Sequence, residues 1–65
     1  MTIHEEFVLY LVQERVTFML ENYFDNNYIA LYVEGVINKL PNTYSKELLL
    51  TLYRIHDNLL LGNEF

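Results

Sequence analysis

At 65 residues the chain has room for one domain, and so short a chain buries too small a share of its surface to be secure without a staple. It has no cysteine, which excludes disulfides and thiolate metal sites and fits a reducing, cytoplasmic setting. Nine Asp and Glu against four Lys and Arg give a net charge of −5, which speaks against direct binding of nucleic acid. Association is the staple that remains, and 52% hydrophobic residues is more than a monomer of this length easily hides. The longest apolar run, FVLYLV at residues 7–12, falls far short of the ~20 residues that span a bilayer. The acidic start lacks the basic region of a signal peptide, so neither a membrane nor a secretory role is expected.

The first element opens on Thr2-Ile3-His4-Glu5, the spacing of a capping box in which the Thr hydroxyl and the Glu carboxylate each satisfy the other's backbone amide. No Gly or Pro interrupts the next nineteen residues, 6–24, and the apolar spacing predicts a helix over about 3–24. Asp25-Asn26-Asn27 then forms a corner, because Asp and Asn end one helix and cap the next. Residues 28–39, YIALYVEGVINK, would also suit a strand by composition, but a lone strand has no partner, so a second helix is expected. Its polar stripe would be Asn27, Ala30, Glu34 and Asn38, the single wet edge of a mostly buried helix. Pro41 stops it, and a third helix over about 44–61 starts from Thr43 or Ser45 and ends at Gly62. The expected architecture is an all-α three-helix bundle assembling as a homodimer.

At about 100° per residue, Val8, Leu9, Val12, Val16, Met19, Leu20 and Tyr23 share one face of the first helix, the expected core. Ile3, Phe7, Tyr10, Leu11 and Phe18 gather on nearly the opposite side, with Glu14, Glu21 and Asp25 among them. A surface helix with one buried side has no use for such a stripe, whereas a helix packed on two sides does. The candidate partner-binding residues are therefore Phe7, Tyr10, Leu11, Glu14, Phe18, Glu21 and Asp25. The partner is either a second copy of the chain or a protein with a basic, grooved surface, since acids around apolar anchors steer such encounters. In the third helix, Tyr44, Leu48, Leu52, Ile55 and Leu59 form one face and Leu49, Tyr53 and Leu60 an adjoining one, with Leu50 and Leu61 pointing away.

Catalytic and metal chemistry find little support. His4 and His56 lack the spacing of a metal motif, and Asp57 is expected to point about 100° away from His56. Glu5 and Glu6 have the helix macrodipole to explain them, and His56 reads as a half-buried, hydrogen-bonded residue. No Ser-His-Asp order, phosphate loop or calcium loop appears, so no enzyme, metal or cofactor is expected. The function expected is that of a small acidic binding protein with a regulatory or inhibitory effect. Two alternatives stand beside it: a DNA mimic of phage or mobile-element type that blocks a glycosylase or nuclease, for which Glu14, Glu21 and Asp25 would replace phosphates, and a structural homo-oligomeric assembly subunit.

Overall fold

A computed structural model of the chain describes residues 1–63, which form three α-helices: α1 (Ile3–Glu21), α2 (Asn26–Lys39) and α3 (Lys46–Leu61). Each begins on a side chain that accepts a hydrogen bond from an otherwise orphaned amide. Thr2 accepts from the Glu5 amide at 3.1 Å, Asp25 from Asn27 at 3.0 Å, and Ser45 from Leu48 at 3.3 Å. The expected capping box is present, with the Thr2 amide donating to Glu5 Oε1 at 2.9 Å. The second segment is helix, not strand. It starts at Asn26, two residues before the expected 28, because Asp25 caps it; α3 starts at Lys46, because Ser45 rather than Thr43 is its cap.

The first helix is shorter than its periodicity suggested, ending at Glu21 instead of 24. Tyr23 adopts the left-handed conformation (φ 62°), its amide donates to the Leu20 carbonyl at 3.1 Å, and the Phe24 amide donates to Met19 at 3.0 Å. Those two bonds make a Schellman turn. The turn overturns the placement of Tyr23 in the core: its side chain is 94% exposed. It also takes Asp25 off the α1 ridge and makes it the cap of α2. The expected polar stripe of α2 loses Ala30, which lies in the core, and α2 is less covered than expected, since Tyr28 and Leu31 are exposed.

Long-range hydrogen bonds fix the topology. The Asn26 side chain donates to the Leu59 carbonyl at 3.2 Å, joining the start of α2 to the end of α3. At the other end, the Ser45 amide donates to Glu5 Oε2, joining the starts of α1 and α3. The helices therefore run up, down and up, in a body of 33 × 18 × 17 Å. Its core comprises Val12, Val16 and Met19 of α1, Ile29, Ala30, Val33 and Ile37 of α2, and Leu48, Leu52, Ile55 and Leu59 of α3. Val8, Leu9 and Leu20 are half-buried at its margin. Burying one such aliphatic side chain stabilises by about 1.5–3 kcal/mol, more than a typical cap. The α2–α3 pair is the most closely packed, with α1 laid against both.

Candidate protein-docking site

The outward face of α1 is built by the same periodicity that builds its core. Val12, Val16 and Met19 turn inward, and this rotates Phe7, Tyr10, Leu11 and Phe18 to the far side, where they are 55%, 54%, 49% and 50% exposed. Ile3 lies at the upstream end of the same stripe and is almost fully exposed. Glu14 is exposed within it and Glu21 at its downstream end, seven residues and so about 10.5 Å apart along the axis. Six of the seven expected docking residues are thus brought onto one face. Asp25 is not, and the acidic ridge is reduced to two carboxylates.

Within the stripe, Glu14 one turn away raises the Tyr10 phenol's pKa above its ordinary value, through its acceptor oxygens and its charge. The two residues flank a shallow depression of about 200 Å³ completed by Gln13 and Thr17. Farther along, the Arg15 guanidinium lies 5.9 Å from the Phe18 ring centroid, within cation–π range. Arg15 and Phe18 form one wall of a cleft of about 320 Å³ completed by Met19, Phe24, Tyr28 and Tyr32. The rings of Phe24 and Tyr28 are tilted against each other at 5.7 Å.

This cleft and the exposed Tyr23 are features that periodicity alone did not reveal. The sequence signal for them is Asp25 itself: an Asp that caps a second helix requires the first to have ended a few residues earlier, which moves Tyr23 and Phe24 into the turn.

Glu5 is the other residue whose role exceeded its local reading. It is the one buried charged or polar residue among those described, 4% exposed, and it accepts from the N-cap amides of two helices at once. Position N3 of α3 is Leu48, which cannot complete a capping box, so Glu5 of α1 supplies the missing carboxylate. These backbone hydrogen bonds, Ser45 first and Thr2 second, hold its carboxyl at about 2, below the usual 4.5.

Both histidines are engaged in packing. His4 sits edge-on against Tyr44 at 5.8 Å. His56 is half-buried, with Nδ1 3.1 Å from an Asp57 oxygen and Nε2 3.8 Å from a Glu34 oxygen on α2. The Asp57 carboxylate therefore swings back toward the ring, against the expectation that it points away; neighbours in sequence are about 100° apart at Cβ, but an Asp side chain is long enough to close that gap. Among the described residues no group of three His, Asp or Glu is placed to hold a metal, and no helix is long and apolar enough to cross a membrane. Searches of protein-family models, curated proteins and solved structures find no match to this chain.

Proposed function

We propose that this chain is a non-enzymatic binding protein that docks another protein surface on the outer face of α1 and so exerts a regulatory or inhibitory effect. The observation that carries this reading is the stripe of Phe7, Tyr10, Leu11 and Phe18, half exposed and opposite the core, with Glu14 and Glu21 among its rings. Aromatic side chains give large contact area at low entropic cost, and α1 holds them in fixed register for a partner. The non-catalytic part of the reading is supported by the histidines, both held in contacts within the fold. A cysteine-free chain suits the reducing cytoplasm in which such a protein would work.

Two occupants suit the stripe: a second copy of the chain, giving a homodimer, or a foreign protein with cations placed to meet Glu14 and Glu21. DNA mimicry has less support, because with Asp25 serving as a cap two acids remain where a phosphate series needs more. A Phe7→Ser/Phe18→Ser variant tests the reading. Circular dichroism should show that the variant is still helical, since both positions are exposed. Sedimentation and affinity capture from the source cell should show loss of protein association. A folded variant that keeps every association of the parent overturns the docking role of this face.

A further inference from the structure

The outer face of α1 has a second regularity. His4, Phe7, Leu11, Glu14, Phe18 and Glu21 follow one another at alternating steps of three and four, the spacing of a two-stranded coiled-coil seam, and all six are exposed. At about 100° per residue they fall within an arc of about 100°. The seam also has reversal symmetry about the midpoint between Val12 and Gln13: His4 corresponds to Glu21, Phe7 to Phe18, and Leu11 to Glu14.

Resting on the docking role of this face, we infer that its occupant is a second copy of the chain, paired antiparallel along α1 with His4 opposite Glu21, Phe7 opposite Phe18 and Leu11 opposite Glu14. Charge selects this arrangement. Parallel pairing would set Glu14 against Glu14 beside the seam's midpoint and Glu21 against Glu21 at its end, two like-charge layers. Antiparallel pairing puts no acid directly opposite an acid and stacks the two phenylalanines on each other. The flanking positions Ile3, Tyr10 and Thr17 on one side carry no charge and add none.

The area is adequate. An aromatic side chain offers ~150–250 Å², so Phe7, Tyr10 and Phe18 at half exposure supply on the order of 300 Å². Leu11, Ile3 and the stems of the two glutamates and His4 bring the face near the ~800 Å² per partner of a standard interface. A crossing angle of about +20° lets the two seams follow each other over the length of α1.

The absence of cysteine makes a direct test available. In a His4→Cys/Glu21→Cys chain, which keeps both phenylalanines, the two thiols lie on one helix about 25.5 Å apart, beyond the ~7 Å limit on Cα separation for a disulfide. Oxidation should therefore yield a covalent dimer through 4–21 bonds between chains, while either single variant and an exposed control, Leu50→Cys, stay largely unlinked. Glu14→Leu removes the acid that faces Leu11 and should tighten self-association about tenfold, or ~1.4 kcal/mol, whereas it would weaken a complex with a cationic foreign partner. Single variants that crosslink as fully as the double overturn the antiparallel register. A parent chain that sediments as a monomer at every concentration overturns self-pairing; if Phe7→Ser/Phe18→Ser then abolishes capture of a foreign protein, the docking role stands with a different occupant.

Discussion

Glu5 shows how far a single residue can exceed its local reading. Its place three residues after Thr2 announced one half of its role, and the capping box formed as that spacing requires. The other half, the amide of Ser45, lies 40 residues away, and nothing in a local pattern says which helix ends will adjoin. The consequence is an acid-sensitive joint between α1 and α3. Because the carboxyl titrates at about 2 when folded against 4.5 ordinarily, the unfolded chain takes up the proton more readily. The stability this group contributes is complete above pH 4.5 and is lost as pH falls from there toward 2. Thermal unfolding followed from neutral pH to pH 2 should show that loss in the parent. Glu5→Gln, which keeps one acceptor and no charge, should be less stable at neutral pH and show a shallower decline below pH 4.5. Parallel profiles for the two would mean that Glu5 does not join the helices.

At the scale of elements, two helices end with the same motif and different residues. The Schellman turn after α3 places Gly62 at φ 77°, with the Gly62 amide on Leu59 at 3.3 Å and the Asn63 amide on Asn58 at 2.9 Å. The turn after α1 repeats those bonds with Tyr23, a residue that pays about 1 kcal/mol for the left-handed region and recovers nothing from packing at 94% exposure. Tyr23→Gly is therefore expected to stabilise the fold by about 1 kcal/mol, a rise of roughly 4–8 °C in Tm for a domain of this size. A fall in Tm would show that the ring is held by the fold after all. The end of α3 was legible because Gly announces it; the end of α1 was not, because no Gly or Pro stands between residues 3 and 24. The buried face of α3 could be read in full, since Leu48, Leu52, Ile55 and Leu59 repeat cleanly at helical spacing. On α2 the small side chain of Ala30 says little about which way it faces, and contact with its neighbours places it in the core.

For the whole molecule, the three-helix count and the two-sided character of α1 came from composition and periodicity, because an amphipathic helix must bury one face and α1 has two apolar ones. The up-down-up order and the joining of α1 to α3 did not, since they depend on contacts between distant segments. The outer face survived with six of its seven residues, Asp25 being lost through the early end of α1 rather than through any fault in the stripe. Seen from the seam's midpoint, Tyr23 lies ten and a half residues downstream, about 16 Å along the axis. In an antiparallel pair the two Tyr23 turns thus stand about 32 Å apart at opposite ends, whereas a parallel pair would set them side by side at about 8–10 Å. Spin labels on Tyr23→Cys would tell these apart by distance alone. In such a pair the exposed turn would be a two-pronged feature, presenting the same Tyr23 ring twice at a fixed span. A target with two matching sites would then meet the second prong at a raised effective concentration, with avidity set by the length of α1.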